Sequence, residues 1–271
     1  MLCFPNCKIN LGLYVTAKRS DGYHDLETVF FPLMVQDVLE VIPAAKTAMR
    51  VTGLPVAGDA TDNLVWKAYT MLQQQFPAKI PQLEILLHKV IPMGAGLGGG
   101  SADGAFMLQL LNDYCTLELD KPALAAMALT LGSDCPFFVY NTPQFATGRG
   151  EKMTPVNIDL SAYSIQLICP EVHVSTRDAF SNINPRPAPF NLAGLGTLPV
   201  PEWRDSVAND FEATVFAKHP ELAAIKAQLY AQGAIYAAMS GTGSAIFGIF
   251  KKGGRAVVQS DIPFREVYLL Q

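Results

Sequence analysis

The stretch Pro92-Met93-Gly94-Ala95-Gly96-Leu97-Gly98-Gly99-Gly100-Ser101-Ala102-Asp103 decides the fold, because it places five glycines directly before a predicted helix. Upstream, residues 83–91 (LEILLHKVI) predict a strand, and downstream the apolar residues recur at helical spacing. The first turn of a helix leaves backbone N–H groups without partners and carries the positive end of the helix dipole. Glycines let the chain curl closely around an anion. The stretch therefore predicts a phosphate-binding loop between a strand and a helix.

Several loop types compete for this segment. A Walker A loop is excluded, since it needs Gly-Lys-Ser/Thr and no basic residue lies between Lys89 and Lys121. The dinucleotide pattern G-x-G-x-x-G is matched, which keeps an NAD-binding oxidoreductase open. In dinucleotide-binding proteins an acidic residue about 20 residues further on, at the end of a second strand, binds the ribose. Here the acidic residues at that distance, Glu118 and Asp120, lead into a predicted helix instead. A loop without any ligand is disfavoured, because every glycine costs backbone entropy on folding.

Composition indicates a globular protein with room for two cores, with 271 residues, 50% of them hydrophobic, and a net charge of −4. The mild acidity argues against nucleic acids or anionic membranes as partners. The N-terminus lacks a signal-peptide pattern, which predicts a cytoplasmic protein. Residues 227–250 are uncharged, but glycines divide them into two short apolar runs, which favours buried strands over a membrane span. The five cysteines form no C-x-x-C pair and predict reduced core thiols without a metal site.

Read along its length, the chain predicts an α+β protein with two domains, residues 1–154 and 155–271. Alternating polarity predicts antiparallel strands, and helical spacing predicts helices on both sides of the boundary. A Pro- and Gly-rich segment, residues 184–201, predicts a long surface loop. The predicted strands are residues 8–15, 28–42, 83–91 and 164–169, and the predicted helices are residues 63–75, 101–114, 121–130, 176–181 and 209–232.

Three further segments carry polar groups that chemistry can use. Lys8 and Asn10 point to the same side of their strand by the period-two rule. Asp134 precedes Cys135 and Pro136 at a helix start, so it is either a simple cap or a functional group. Residues 239–244 (MSGTGS) form a second glycine turn.

Taken together, these pieces resemble the GHMP kinase superfamily, which includes galactokinase, homoserine kinase, mevalonate kinase and phosphomevalonate kinase. The segments that carry the resemblance come in the family's order: residues 8–11 (KINL), 92–102 and 240–244. The resemblance implies a two-domain GHMP-kinase-like fold. Its N-terminal part, residues 1–154, is a ribosomal-protein-S5-like α/β sandwich that binds ATP, and its C-terminal part, residues 155–271, is a ferredoxin-like α+β domain.

Four further segments resemble one branch of the superfamily: residues 19–24 (RSDGYH), 131–137 (LGSDCPF), 174–176 (VST) and 209–212 (NDFE). That branch phosphorylates the 2-hydroxyl of a cytidine-diphosphate-linked methylerythritol in the non-mevalonate route to isoprenoid precursors. The resemblance therefore implies the same reaction here, with ATP as co-substrate and Mg²⁺ bound with the ATP.

The resemblance also implies roles for individual residues. In the catalytic pair, Asp134 is the base or orienting group for the attacking hydroxyl, and Lys8 stabilises charge beside it. Phosphoryl transfer mainly needs such positioning and charge neutralisation. The implied ATP-binding residues are Asn63, at the adenine, and Pro92, Met93, Gly94, Ala95, Gly96, Leu97, Gly98, Gly99, Gly100, Ser101 and Ala102, at the phosphates.

For the acceptor, the resemblance implies that Tyr23 and Phe180 sandwich the cytosine ring while His24 hydrogen-bonds its edge. Asn10 and Thr176 complete the implied substrate-binding set. Ser101 has no glutamate partner that would complete a magnesium site, so no protein metal ligands are predicted. The expected partners are the cytidyl substrate and ATP. A non-catalytic nucleotide-binding module remains open beside the kinase and the oxidoreductase.

Overall fold

The computed structural model describes residues 1–181 and 183–270. They form two compact units, of which the first comprises Met1–Lys8, Pro32–Met93 and Gly98–Thr142. The second unit comprises Ile9–Phe31, Gly94–Leu97 and Pro143–Gln271. The units are therefore interleaved along the chain, which differs from the single predicted division after residue 154. The reason is that two long strands, over residues 6–18 and 24–36, each contribute residues to both units.

The strands, in chain order, are β1 (Leu2–Cys3), β2 (Asn6–Lys18), β3 (His24–Gln36), β4 (Val38–Pro43), β5 (Ala48–Gly53), β6 (Leu83–Lys89), β7 (Gln144–Gly148), β8 (Lys152–Pro155), β9 (Tyr163–Pro170), β10 (Tyr236–Met239), β11 (Ile246–Lys251) and β12 (Phe264–Leu270). The α-helices are α1 (Leu64–Gln75), α2 (Gly99–Tyr114), α3 (Lys121–Leu131), α4 (Cys135–Tyr140), α5 (Thr176–Phe180), α6 (Trp203–Ser206), α7 (Phe211–Lys218) and α8 (Pro220–Ala231).

In the first unit a sheet of order β1-β4-β6-β5 accompanies helices α1 to α4. Strand β6 pairs antiparallel with β4 and parallel with β5, and its side chains alternate between buried and more exposed positions. Helix α1 packs against α2, and α3 packs against α4. The strand and helix that flank the glycine loop are thus buried elements of this unit, as the sequence predicts.

The second unit contains an antiparallel sheet of order β10-β11-β9-β12. Numbered along the chain, its strands run 2-3-1-4, the order of the ferredoxin-like arrangement that the resemblance implies. Helix α8 packs on β10 and β11. The described residues 252–263, between β11 and β12, contain no helix, so the second crossover of that arrangement is a loop here. A third sheet, β2-β3-β7-β8, pairs residues 26–30 of β3 with residues 144–148 of β7, and β7 in turn with β8.

Three predicted elements differ from the structure by more than a shift of a few residues at their ends. The predicted strand 28–42 is two strands that meet at the fully buried Asp37. The predicted helix 209–232 is two helices, because Pro220 starts α8 and cannot continue α7. The predicted surface loop 184–201 contains a short 3-10 helix, Leu192–Thr197, whose Leu192 and Leu195 are buried.

The uncharged segment 227–250 comprises the end of α8, then β10, a glycine turn and β11. The prediction of two short apolar strands around that turn is therefore correct. Across residues 1–181 and 183–270, no helix has both the length and the apolar character needed to cross a membrane.

Candidate active site

The glycine loop connects the end of β6 at Lys89 to the start of α2 at Gly99. Gly98 precedes the helix with φ of 70°, in the left-handed region where a side chain is strained. Helix α2 is 16 residues long and has no acidic residue in its first turn. Its positive end and its unpaired N–H groups therefore meet no side-chain anion within the helix itself, which suits a bound phosphate.

The end of the loop lies beside Lys8 within the first unit. A Cβ atom added to Gly98 would lie 2.9 Å from Cζ of Phe138 and 3.3 Å from Cε of Lys8. Only glycine fits at such a close approach without moving its neighbours. The structure therefore places the helix start and the predicted catalytic lysine next to each other.

Lys8 and Asp134 form an ion pair in the same unit. The distance from Nζ of Lys8 to Oδ2 of Asp134 is 3.5 Å, and the side chains are 4% and 34% exposed. Asp134 stands at the N-cap position of α4, but its side chain makes no capping hydrogen bond within the described chain. Its carboxylate thus faces a buried cation while about a third of the side chain remains exposed, and its role as base or orienting group stays a prediction.

Two predicted ATP-binding side chains have structural partners in the first unit. Oδ1 of Asn63 accepts a hydrogen bond of 2.9 Å from the backbone N–H of Val65 and caps α1. Ser101 lies near Cys135, whose thiol pKa is raised to about 12 by burial, with Ser101 acting in the opposite direction. The Asn63 side chain thus already stabilises the start of α1, and the contacts of both residues with ATP stay predictions.

In the second unit, residues Gly94–Leu97 pack on the glycine turn after β10. Oγ of Ser240 donates a hydrogen bond of 2.8 Å to the carbonyl oxygen of Gly96. A Cβ on Gly96, whose φ is 77°, would overlap the backbone oxygen of Ser240. The N–H of Ala245 also donates to the carbonyl of Ala95 at 3.1 Å. The second glycine turn therefore fixes the backbone of Ala95 and Gly96 in the glycine loop.

That turn is itself held by Asn209 and Glu212, whose roles the sequence did not reveal. Nδ2 of Asn209 donates to the carbonyls of Met239 at 2.7 Å and Gly241 at 2.8 Å. Oε1 of Glu212 accepts a hydrogen bond of 2.8 Å from the N–H of Met239. The segment 209–212 stood out in the sequence only through the resemblance, because no local pattern joins it to a turn 30 residues away.

The predicted acceptor-binding aromatic residues also lie in the second unit. The His24 ring stacks on Phe180, with centroids 4.8 Å apart and an interplanar angle of 22°. Phe180 in turn meets Phe211 edge-on at 4.7 Å. Tyr23 is 55% exposed, and the guanidinium of Arg149 lies 4.7 Å above its ring centroid. The structure brings His24 and Phe180 together and adds Arg149, which the sequence did not indicate.

Asn10 and Thr176 differ in their surroundings. Asn10 is buried, and its Nδ2 donates a hydrogen bond of 2.8 Å to Oγ1 of Thr28. Its backbone N–H donates to Oγ of Ser240 at 3.3 Å. Thr176 is the exposed first residue of α5. Asn10 thus belongs to the hydrogen-bonded network around the second glycine turn, whereas Thr176 lies on the surface of its unit.

Family models for the two halves of a kinase match this chain. The GHMP kinases N terminal domain matches residues 63–142, and GHMP kinases C terminal matches residues 201–263. Among solved structures, a mevalonate kinase from Methanococcus jannaschii superposes with a TM-score of 0.67 at 10% identity, covering 93% of this chain and 90% of that one. At that identity the likeness shows the fold alone. The predicted α+β, two-domain GHMP-kinase fold is confirmed.

Curated relatives are similar over nearly the whole chain. A protein of Parabacteroides distasonis named 4-diphosphocytidyl-2-C-methyl-D-erythritol kinase is 51% identical over 252 residues, covering 93% of this chain and 92% of that protein. The equally named protein of Bacteroides thetaiotaomicron is 48% identical over 258 residues, covering 94% and 93%. A crystal structure of 4-(cytidine 5'-diphospho)-2C-methyl-D-erythritol kinase superposes with a TM-score of 0.77 at 31% identity, covering 94% and 91%.

These similarities decide between the alternatives that the glycine loop left open. The prediction of an ATP-dependent kinase is confirmed over that of an NAD-binding oxidoreductase. The chain belongs to the GHMP kinases and, within them, to the family of the 4-diphosphocytidyl-2-C-methyl-D-erythritol kinases.

Proposed function

We propose that this chain transfers the γ-phosphoryl group of ATP to the 2-hydroxyl of 4-diphosphocytidyl-2-C-methyl-D-erythritol. The acceptor is the one in the names of its relatives. The observation that carries the chemistry is the Lys8–Asp134 pair beside Gly98, at the start of α2. A carboxylate, a cation and a phosphate-binding helix start are the parts that phosphoryl transfer uses.

In this mechanism the backbone N–H groups at the start of α2 bind ATP phosphates. The Asp134 carboxylate accepts a hydrogen bond from the acceptor hydroxyl and orients its oxygen toward the γ-phosphorus. As the new O–P bond forms and the bond to the ADP oxygen breaks, the hydroxyl proton passes to Asp134 and then to solvent. The Lys8 ammonium stabilises charge on the transferred group and on the emerging alkoxide, and its burial, at 4% exposure, strengthens that interaction.

Mg²⁺ enters this proposal as a partner of ATP. Such ions keep several waters and take phosphate oxygens plus one or two carboxylates. Within the first unit the Asp134 carboxylate is 34% exposed, but the mechanism above uses it for the acceptor hydroxyl beside Lys8, so no side chain is assigned to the ion. The ion, when bound, neutralises phosphate charge. Among the described residues, no group of three or more His, Cys, Asp or Glu side chains is arranged to hold a metal.

The second unit supplies the acceptor side of the proposal. Tyr23 and Phe180 offer ring faces for the cytosine, since stacking on an aromatic face suits any planar base, and His24 offers a hydrogen bond to its edge. In this structure one face of Phe180 is covered by His24 and one face of Tyr23 by Arg149. We place the reaction in the cytoplasm, where ATP is available, and assign no nucleic-acid or membrane partner.

A coupled ADP-release assay tests the function. The purified chain is given ATP with cytidyl-methylerythritol, mevalonate, homoserine or galactose as separate acceptors. We expect turnover with the cytidyl substrate alone. Turnover with a different acceptor would overturn the substrate assignment. ATP binding without transfer to any of the four would instead indicate a non-catalytic nucleotide-binding module.

A further inference from the structure

A buried ion cluster, formed by Asp37, Lys89 and Asp103, lies at the base of the glycine loop in the first unit. Nζ of Lys89 donates hydrogen bonds to Oδ2 of Asp37 and, at 2.6 Å, to Oδ2 of Asp103. The Lys89 and Asp37 side chains are 0% exposed and that of Asp103 is 2% exposed. The proposed transfer reaction makes no direct use of these three groups.

The cluster contacts the chain on both sides of the glycine loop, at the end of β6 and in α2. Lys89 is the last residue of β6, and Asp103 lies in the second turn of α2. Oδ1 of Asp37 also accepts hydrogen bonds from the backbone N–H groups of Val90 and, at 2.9 Å, Ile91. One set of side chains therefore fixes the residues just before Pro92 and the helix just after Gly98.

The start of α2 rests directly on this cluster. A Cβ on Gly99 would lie 2.8 Å from Cγ2 of Ile91 and 3.4 Å from Nζ of Lys89. The backbone at Gly99 thus approaches the Lys89 ammonium with no side chain between them. The Lys89 ammonium therefore lies directly behind the first-turn N–H groups, which are the groups proposed to bind phosphate.

The composition of the cluster is a poor one for stability alone. Two carboxylates share one ammonium, and Oδ1 of Asp103 has no hydrogen-bond partner among residues 1–181 and 183–270. Apolar residues of similar volume often replace a buried ion pair with no loss, or with a gain, in stability. What an ionic cluster supplies better than an apolar one is fixed, directional geometry.

We infer that Asp37, Lys89 and Asp103 are positioning residues that hold the glycine loop in its ATP-binding shape before the nucleotide arrives. This inference rests on the proposed ATP-dependent function. None of the three contacts the reacting atoms in it. They act through the loop backbone, and preorganised N–H groups bind an anion without a cost of rearrangement at that moment.

Three variants test the inference, with KM for ATP and KM for the cytidyl substrate measured separately. Asp103→Ala removes the tie between α2 and Lys89, and we expect KM for ATP to rise roughly tenfold to a hundredfold, the range for a small misplacement of binding groups. KM for the cytidyl substrate should stay within about twofold. Asp103→Asn keeps an oxygen for Lys89 and should restore KM for ATP to near the wild-type value.

Leu111→Ala is the matched control, because Leu111 is a fully buried residue of the same helix two turns further on. It should lower the melting temperature through lost packing and leave KM for ATP unchanged. If Asp103→Ala lowers the melting temperature in the same way, with KM for ATP also unchanged, the cluster is structural and the inference is wrong.

If Asp103→Ala does not fold, the triple variant Asp37→Asn, Lys89→Met, Asp103→Leu replaces the charges with groups that can pack. We expect it to fold and to show the raised KM for ATP, whereas a normal KM would overturn the inference. Failure of the proposed function has a different signature, because the wild-type chain itself would then release no ADP with the cytidyl substrate.

Discussion

Asp134 occupies a position where an aspartate ordinarily caps a helix, yet its carboxylate faces the buried Lys8 at 3.5 Å. Asp134→Asn keeps the size of the side chain but removes its charge and its ability to accept a proton. We expect kcat to fall by roughly 10²-fold or more, with ATP binding nearly unchanged. Steady-state kinetics together with calorimetric ATP titration measures both quantities.

Asp120 offers a matched control for that substitution. Its side chain accepts a hydrogen bond of 2.9 Å from the N–H of Ala123 and so caps α3. Asp120→Asn should have little effect on kcat, because asparagine caps a helix about as well as aspartate. Near-normal turnover in Asp134→Asn would mean that Asp134 is only a helix-start residue.

Phe180 belongs to an aromatic cluster with His24 and Phe211. Phe180→Ala removes a stacking face worth about 1 to 3 kcal/mol for a base, so KM for the cytidyl substrate should rise roughly tenfold to a hundredfold. A remote base is stacked equally in the ground and transition states, so kcat should fall much less. Phe180→Tyr should be nearly neutral. A loss of about 3 to 5 kcal/mol in stability with an unaltered KM would assign Phe180 to packing.

Asp103 makes stability depend on pH. Burial raises its pKa from 3.8 to about 7, while Lys89 opposes and Asp37 supports that rise, and the Cys3 thiol of β1 also faces it. Between these two values the folded chain holds a proton that the unfolded chain has lost. The contribution of Asp103 to the unfolding free energy is therefore full below pH 3.8 and falls as pH rises toward about 7.

Asp103→Asn removes this titration, so we expect its unfolding free energy to decline less than that of the wild type between pH 5 and pH 7, in denaturant titrations at about ten pH values. The variant should also be the more stable protein at about pH 8, since it lacks the excess buried charge. Parallel pH curves for the two proteins would contradict the raised pKa.

At the scale of elements, local sequence patterns predicted a strand or helix correctly where neighbouring residues determine its conformation. Helical spacing and the run of glycines predicted the strand, loop and helix around Pro92, and the structure has all three. The polar–apolar alternation over residues 28–42 did not reveal the break at Asp37. The conformation there depends on hydrogen bonds from Lys89 and Val90, which lie more than 50 residues away in the chain. The single helix predicted over residues 209–232 does not show the break before Pro220, which is the first residue of α8.

Alanine substitutions at Gly98 and Gly100 distinguish the effect of backbone strain from the effect of added side-chain bulk in the same loop. Gly98→Ala imposes a positive φ on alanine and pushes its Cβ against Phe138 and Lys8. Gly100 has an ordinary φ, and its added Cβ would meet only the flexible end of Met93, at 3.1 Å. We expect Gly98→Ala to lower both the melting temperature and the affinity for ATP, whereas Gly100→Ala should leave the melting temperature unchanged or raise it.

Differential scanning calorimetry and ATP titration distinguish the two glycine variants. The same loss of ATP affinity in both, without a loss of stability in Gly98→Ala, would mean that added bulk rather than the loop conformation is what ATP binding resists.

At the scale of the whole molecule, the sequence predicted the class of fold but not the partition of the chain. The structure brings Lys8 and Asp134 together as an ion pair, and their catalytic role stays a prediction. Residues 9–31 and 94–97 belong with the C-terminal half through long-range contacts, such as that of Ser240 with Gly96, which no local pattern records. The same limit applies to the acceptor side, where His24 on Phe180 and Arg149 on Tyr23 are tertiary contacts. The roles of all these residues in binding stay predictions.

The final prediction concerns which nucleotide stabilises the folded chain. A ligand that binds only the native state adds RT ln(1 + [L]/Kd) to the unfolding free energy, about 2.7 kcal/mol at a hundredfold excess over Kd. For a chain of this size, each kcal/mol raises the melting temperature by roughly 2 to 4 °C, so saturating Mg-ATP should raise it by about 5 °C or more. NAD⁺ at the same concentration should cause no shift, since the G-x-G-x-x-G pattern of this chain lacks the accompanying acidic residue at the end of a second strand. Gly98→Ala should reduce the ATP shift without creating one for NAD⁺. A larger shift with NAD⁺ than with ATP would show that the five glycines serve a dinucleotide, against the phosphate loop on which the proposed function depends.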